Sequence, residues 1–106
     1  MFNKPTWLAL GLVISLPLAV QAAGDPQTGA KKNSMCIGCH GIDGYKTAFP
    51  SVYHVPKIGG QHAEYIVAAL TAYKTGARKH PTMTAIAAQL SEQDIADLAA
   101  YYTGKR

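Results

Sequence analysis

Both cysteines of the 106-residue chain and one histidine lie in a single short segment, Cys36-Ile37-Gly38-Cys39-His40. On a helix, residues at positions i, i+3 and i+4 share one face, so Cys36, Cys39 and His40 would present two thiols and an imidazole side by side. This spacing lets the thiols bond to the two vinyl groups on one edge of a haem while the imidazole reaches the iron. The pattern Cys-x-x-Cys-His is typical of c-type haem attachment.

Two cysteines at this spacing have three other interpretations: a structural zinc site, a thioredoxin-like redox pair and a plain disulfide. A structural zinc ion takes four Cys or His ligands, but the sequence has no second cysteine pair, and His54, His62 and His80 lack paired spacing. A thioredoxin-like pair belongs to a βαβ unit, and the sequence predicts no strand. Haem attachment is therefore the favoured interpretation, with a plain disulfide or a metal site as the remaining alternatives.

The first 22 residues have the layout of a secretory signal peptide. Lys4 precedes an uncharged stretch from Trp7 to Val20, and small residues follow at Ala22 and Ala23. The stretch is shorter than the about 20 apolar residues that a membrane-spanning helix needs. We therefore expect cleavage after Ala22, or one residue later, and export to the periplasm, where haem is attached to such motifs. An uncleaved N-terminal anchor is the alternative.

The composition indicates one small folded domain. Cleavage would leave residues 23–106, too few for a multidomain enzyme. Hydrophobic residues make up 48% of the chain and charged residues 15%, which excludes a disordered chain. A core of this size is only marginally stable, so a bound group with apolar surface would stabilise it. Ten Lys and Arg against six Asp and Glu are a modest excess, which argues against nucleic acid as a partner of an exported protein.

Helical patterns dominate the mature chain and predict an all-α fold. Asp25-Pro26 starts a first helix that runs toward Met35 and, if continued, carries the cysteine motif. Residues 41–60 are rich in glycine and proline and predict a long loop. A helix over residues 61–75 with Gly76 at its C-terminus and a last helix from a capping box at Ser91 complete the pattern. The apolar positions of these two helices repeat with helical spacing: Ile66, Ala69, Leu70 and Tyr73, then Ile95, Leu98, Ala99 and Tyr102.

Three stretches resemble the small class I c-type cytochromes. They are Cys36 to His40, Pro56-Lys57-Ile58-Gly59-Gly60, and the segment around Met83 that leads into Asp94-Ile95-Ala96-Asp97-Leu98-Ala99-Ala100-Tyr101-Tyr102. The resemblance covers the whole mature chain. It is closest to one haem domain of the dihaem cytochromes of the c-four group and to the short monohaem cytochromes of the c-553 type. It implies a class I cytochrome c fold, with three to five helices around one covalently bound haem, and an electron-transfer protein rather than an enzyme.

The resemblance also implies that Met83 is the sixth iron ligand, opposite His40. Met83 lies in an irregular stretch between the last two predicted helices, where the family has its ligand methionine. Without the family, an isolated methionine is more often a flexible core residue. His80 is the alternative ligand, but Pro81 follows it directly and should hold it extended and pointing to solvent. Met35, next to the first cysteine, is expected to pack in the core.

Two residues around the haem are assigned by the same resemblance. The family has a Pro-x-Leu-x-Gly stretch whose proline carbonyl accepts a hydrogen bond from the ligating histidine. The second stretch matches it with Ile in place of Leu, so Pro56 is assigned to this bond and Ile58 to packing on the porphyrin, with a plain loop turn as the alternative. Gly29 and Tyr101 or Tyr102 resemble the family's close helix crossing, which is a structural role.

The expected function is one-electron transfer in the periplasm through a haem c with histidine and methionine ligands and a positive potential. The expected partners are larger redox enzymes such as a cytochrome oxidase, a cytochrome bc complex or a periplasmic dehydrogenase. Lys57, Lys74, Arg78 and Lys79 flank the segments expected to border the haem edge. They either guide docking onto an acidic patch of such a partner or are simply solvated.

Two other functions stay open at this point. One is an electron-transfer subunit bound permanently to an enzyme complex. The other is a sensory or catalytic haem whose methionine ligand is labile, so that a small ligand binds the iron. For the carrier, we expect a monomer with no membrane span after signal cleavage.

Overall fold

A computed structural model describes residues 11–12, 24–48 and 51–105. The predicted signal peptide therefore lies almost entirely outside the described residues, and its cleavage stays a prediction. In the described ranges, no helix combines the length and the apolarity that a membrane span requires. The elements in these ranges are α1 (Pro26–Lys32), α2 (Ser34–His40), β1 (Lys46–Thr47), β2 (Tyr53–His54), α3 (Ala63–Thr75), α4 (Pro81–Ala88) and α5 (Glu92–Thr103).

The predicted first helix is two helices in the structure. Asp25 is the N-cap of α1 and accepts a hydrogen bond from the Gln27 backbone, with Pro26 in the first turn. Asn33 interrupts the helix with φ −83° and ψ 2°, which departs from the helical ψ of about −42°. Asparagine has a lower helix propensity than the lysines that precede it, and the Asn33 side chain forms no cap hydrogen bond with α2. The cysteine motif therefore lies on a separate short helix, α2.

The predicted long loop contains a small strand pair that the sequence did not indicate. Lys46 pairs with His54 and Thr47 with Tyr53 in an antiparallel ladder. The Val55 amide donates to the Tyr45 carbonyl at 2.9 Å and continues the pairing. Two-residue strands are too short to produce an alternating pattern, which is why sequence periodicity misses them. The fold remains mainly helical, as the sequence predicted.

The ends of the two long helices agree with the sequence patterns. α3 begins at Ala63, two residues later than predicted, and ends at Gly76, whose φ of 84° is left-handed. This conformation is accessible to glycine without steric cost. α5 begins with the predicted capping box, in which the Ser91 and Asp94 side chains accept from each other's backbone amides.

The core is built on α5. Ile66 of α3 packs against Leu98, Ala99 and Tyr102 of α5, and all four are buried. α1 also packs on α5, and α4 packs on α3. The crossing of α1 and α5 is so close that a Cβ on Gly29 would lie 2.1 Å from the Asp97 carbonyl oxygen. This glycine therefore has the structural role that the sequence predicted for it.

A buried carboxylate fastens α1 to α5. Asp97 is only 2% exposed. It accepts hydrogen bonds from the Asp25 amide at 2.8 Å, the Lys32 Nζ at 2.7 Å and the Gln93 side chain at 2.9 Å. Lys32 also lies 2.6 Å from Asp94. These partners satisfy a charge that would otherwise be costly to bury.

Candidate haem site

The two cysteines and the histidine of the motif line one cleft from α2. Cys36 and Cys39 are half-buried free thiols. Their spacing on α2 places them on the same helical side as His40. Burial raises the pKa of the Cys36 thiol. The helix therefore presents two thiols, of which Cys36 is held in its protonated form, and one imidazole to a common cleft.

The imidazole of His40 is oriented by a backbone carbonyl. His40 Nδ1 lies 2.6 Å from the Pro56 carbonyl oxygen. A ring nitrogen that donates to a carbonyl carries the proton, so the other nitrogen, Nε2, keeps its lone pair. This is the arrangement in which histidine ligates a metal, with the carbonyl fixing both tautomer and ring orientation.

The cleft is large and mainly apolar. It has a volume of about 330 Å³. Its base is the core itself, with Ile66 and Leu70 from α3 and Leu98 and Tyr102 from α5. Burial raises the pKa of Tyr102 to about 12, so this side chain is neutral at the base of the cleft. The preceding loop adds Ile58, which is half-buried against the same core residues.

Met83 reaches the same cleft from a different helix. The sequence analysis placed it in an irregular stretch, but it lies in the first turn of α4. The reason is local: His80 caps the helix, and Pro81 at the first helical position is preorganised for it. Met83 is half-buried and lines the cleft together with His40. A thioether and an imidazole are thus supplied from separate elements.

Two residues differ from their expected placement. His80 has the extended backbone that Pro81 predicts, with φ −155° and ψ 123°. Its ring does not point to solvent, however, because it is half-buried, accepts from the Met83 amide at 3.3 Å and packs against Tyr53. Met35 is 50% exposed and lines the cleft, so it is not a core residue. The short α2 helix carries it at the edge of the cleft rather than toward α5.

The family model described as cytochrome c matches residues 27–102 of this chain. The chain belongs to the cytochrome c family. This cytochrome is 44% identical to cytochrome c4 of Thiocapsa roseopersicina over 79% of this chain and 42% of that protein. It is 42% identical to cytochrome c-554(548) of Halomonas halodenitrificans over 78% of this chain and 99% of that protein. A third relative is cytochrome c4 of Pseudomonas aeruginosa, 35% identical over 93% of this chain and 47% of that protein.

The cytochrome therefore spans less than half the length of the two cytochromes c4 and almost the full length of the Halomonas cytochrome c-554(548). Family membership implies a covalently bound haem c with its iron. The residues present fit this group. Two free thiols, an imidazole with an anchored Nδ1 and a thioether converge on one apolar cleft. Among the residues that the structure describes, no group of three or more His, Cys, Asp and Glu side chains is arranged as a metal site.

Sequence reasoning predicted Arg78 near the haem edge but missed the tyrosines that it contacts there. Arg78 lies 4.9 Å from the centre of the Tyr73 ring and donates to the Tyr65 hydroxyl at 3.4 Å. Tyr53 from β2 joins the same edge. Tyr65 and Tyr73 are eight residues apart on α3, a spacing that places them on one side of the helix. The sequence signal for these contacts was the spacing of the two tyrosines, together with an arginine two residues after Gly76.

The four basic residues considered for docking differ in their partners. Lys57 forms an ion pair with Asp43 at 2.6 Å, with both side chains largely exposed. Lys74 Nζ donates to the Leu90 carbonyl. Arg78 is engaged by the two tyrosines of α3, and Lys79 is exposed. The positive charge of Lys57 is thus compensated locally.

Proposed function

We propose that this cytochrome is a one-electron carrier in which Cys36 and Cys39 attach the haem, and His40 and Met83 are the axial ligands. The observation that carries the proposal is the 2.6 Å bond between His40 Nδ1 and the Pro56 carbonyl, in a cleft that Met83 also lines. When bound, the haem iron supplies a reversible one-electron change. The protein supplies the ligands, their orientation and an apolar surrounding.

The ligand side chains account for the direction of the potential. The Met83 thioether is a soft ligand that favours the reduced iron more than a second imidazole does. The Pro56 carbonyl holds His40 in one orientation, which limits reorganisation between the two oxidation states. Ile58, Ile66 and Leu98 keep water from the cleft base, and an apolar surrounding disfavours the extra charge of the oxidised centre. We therefore expect a positive reduction potential.

Filled axial positions favour a carrier over an enzyme. With imidazole on one side and thioether on the other, the protein leaves no coordination position for a substrate. Half-burial of Met83 on α4, a helix packed on α3, supports a stable rather than a labile thioether. A sensory or catalytic haem would need this side chain to leave.

The periplasm is the proposed location of this cytochrome. Residues 1–22 act as a signal peptide, residues 23–106 form the mature domain, and the protein works in the periplasm. Its donor and acceptor are larger enzymes such as a cytochrome bc complex, a cytochrome oxidase or a periplasmic dehydrogenase. Exposed Lys79 and Arg78, beside the cleft, would meet an acidic surface on such a partner.

Two spectra of the protein purified from the periplasm test this function. The mass spectrum reports cleavage and haem attachment, and the absorption spectrum reports the coordination of the iron. We expect the mass of residues 23–106 plus one haem, and six-coordinate spectra in both oxidation states. Reduced protein exposed to carbon monoxide should keep its spectrum. A colourless product would contradict haem attachment, and rapid carbon monoxide binding would favour a sensory or catalytic haem. Gel filtration of the native extract distinguishes a free monomer from an enzyme-bound subunit.

A further inference from the structure

Both the side chain and the backbone of His80 form hydrogen bonds with residues in the first turn of α4. Its Nδ1 accepts the backbone N–H of Met83 at 3.3 Å. In return, its own backbone N–H donates to the Thr84 Oγ1 at 3.3 Å, and its carbonyl accepts from the Thr84 amide at 2.8 Å. The first amides of a helix have no partner within the helix, so they depend on such caps. The capped amide here belongs to Met83 itself.

The imidazole ring of His80 is also held from the opposite direction. It meets the Tyr53 ring edge-on, with 5.1 Å between the ring centres and 65° between the planes. Tyr53 belongs to β2, three residues before Pro56, whose carbonyl orients His40. His80 thus connects the helix that carries Met83 to the loop that orients the histidine. All of these residues line the one cleft.

We propose that His80 is a positioning residue, which holds the first turn of α4 so that the Met83 thioether stays directed at the iron. This inference rests on the proposed ligation by Met83. Without the cap, the first turn of α4 has unbonded amides and frays more readily. A frayed turn carries Met83 away from the cleft, which leaves one axial position open to an external ligand.

Imidazole binding to the oxidised holoprotein measures how often this position is open. The apparent affinity for an external ligand is proportional to the fraction of protein whose methionine is displaced. Loss of a helix cap should raise that fraction about 5-fold to 30-fold. We therefore expect His80→Ala to bind imidazole about 5-fold to 30-fold more tightly and to show a weaker far-red thioether-to-Fe(III) band, in proportion to the displaced fraction.

Two variants separate capping from general damage. His80→Asn keeps a side-chain acceptor at a position that favours asparagine and should restore the affinity and the band to near wild-type values. His62→Ala is the matched control, because His62 is an exposed histidine at the N-cap of α3 whose side chain makes no cap bond. It should leave both readouts unchanged. Wild-type behaviour of His80→Ala, or failure of His80→Asn to restore it, would overturn the proposal.

A misfolded His80→Ala protein would not end the test. Thr84→Val removes only the reciprocal acceptor and leaves the imidazole in place, so it should raise imidazole affinity by a smaller factor. No rise in a folded Thr84→Val protein would then overturn the proposal. Met83→Ala separates the two hypotheses. If it leaves the far-red band and the affinity of the wild type unchanged, Met83 ligation fails, whereas a band lost in Met83→Ala and retained in His80→Ala rejects only the role of His80.

Discussion

The Nδ1 of His40 on α2 and the carbonyl oxygen of Pro56, 16 residues later in the loop, lie 2.6 Å apart. A short bond to a backbone acceptor increases the electron density on the ligating nitrogen and so favours the oxidised iron. In the proposed haem site, the loop that contains Pro56 therefore influences the iron through His40, although it contributes no ligand.

Pro56→Gly should raise the reduction potential. Glycine keeps the carbonyl but frees the backbone, so the bond to His40 becomes longer on average. A bond that stabilises the oxidised state by about 1 kcal/mol more than the reduced state lowers the potential by about 40 mV for one electron, so its loss should raise the potential by up to that amount. Protein-film voltammetry of the holoprotein measures this value. Val52→Ala is the control, because Val52 lies in the same loop but its side chain is 74% exposed. This variant should have the reduction potential of the wild type.

Met83→Ala should retain the haem but lower the potential. The two thioether bonds are independent of Met83, while the axial sulfur that favours reduced iron is lost. The fall should be on the order of 0.1–0.3 V, within the range of about 0.8 V that axial ligands span. Voltammetry and the far-red band report it. Met35→Ala tests specificity, because Met35 also lines the cleft but lies on α2. An unchanged potential in Met83→Ala would remove Met83 from the ligand sphere, and an equal fall in Met35→Ala would show that the effect is not specific to Met83.

Much of the fold could be predicted because its signals are local. Three of these signals depend only on neighbours a few residues away. They are Gly76 as a helix terminator, the capping box at Ser91, and the apolar spacing of Ile95 to Tyr102. The break at Asn33 has only a weak local signal, the lower helix propensity of asparagine. The strands that pair Thr47 with Tyr53 are too short to produce an alternating pattern. Periodicity therefore locates the helices better than their interruptions.

The site shows the same division. Helical spacing alone places Cys36, Cys39 and His40 on one face, and these residues line one cleft. The helical start at Pro81 escaped notice because Thr82, Thr84 and the small residues after them give no amphipathic pattern. The extended backbone before Pro81 suggested that the ring of His80 points to solvent. Its contact with Tyr53, 27 positions earlier in the chain, has no local signal in the sequence. Side-chain contacts between distant segments cannot be derived from spacing.

Gly29→Ala should destabilise the domain. The added methyl group would lie 2.1 Å from the Asp97 carbonyl oxygen and 2.7 Å from the Tyr101 Cβ, so α1 must move away from α5. Such overpacking costs about 1–3 kcal/mol. Gly38→Ala on α2 is the matched control, because nothing lies within 4 Å of its added carbon and alanine favours the helix. In urea unfolding, Gly29→Ala should have a lower midpoint concentration than Gly38→Ala. Equal midpoints would show that α1 and α5 do not cross closely at Gly29.

Lys79→Gln should slow oxidation of the reduced protein by a negatively charged electron acceptor, since an exposed positive charge near the cleft is removed. The expected loss is on the order of twofold at low ionic strength and vanishes at high salt. Lys57→Gln should have a smaller effect because Asp43 already compensates that charge. Stopped-flow oxidation of the reduced protein by ferricyanide measures both rates. Equal losses in the two variants would show that the ion pair does not matter for encounter.

The contacts of Lys32 predict how stability changes with acid. Hydrogen bonds, the largest from Lys32, lower the pKa of both Asp94 and Asp97 from 3.8 to about 2. Ser91 adds to the effect on Asp94, and the Asp25 amide and the Gln93 side chain add to the effect on Asp97. A carboxylate with a depressed pKa stabilises the fold above its unfolded pKa and loses this contribution as the pH falls through the folded pKa. Lys32→Ala should therefore lower the free energy of unfolding at pH 7, and its difference from wild type should shrink between about pH 4 and pH 2. Urea unfolding across this range, with Lys31→Ala at an adjacent exposed site as control, checks the prediction. A difference that stays constant from pH 7 to pH 2 would show that Lys32 stabilises the helix crossing through its methylene chain rather than through the two carboxylates.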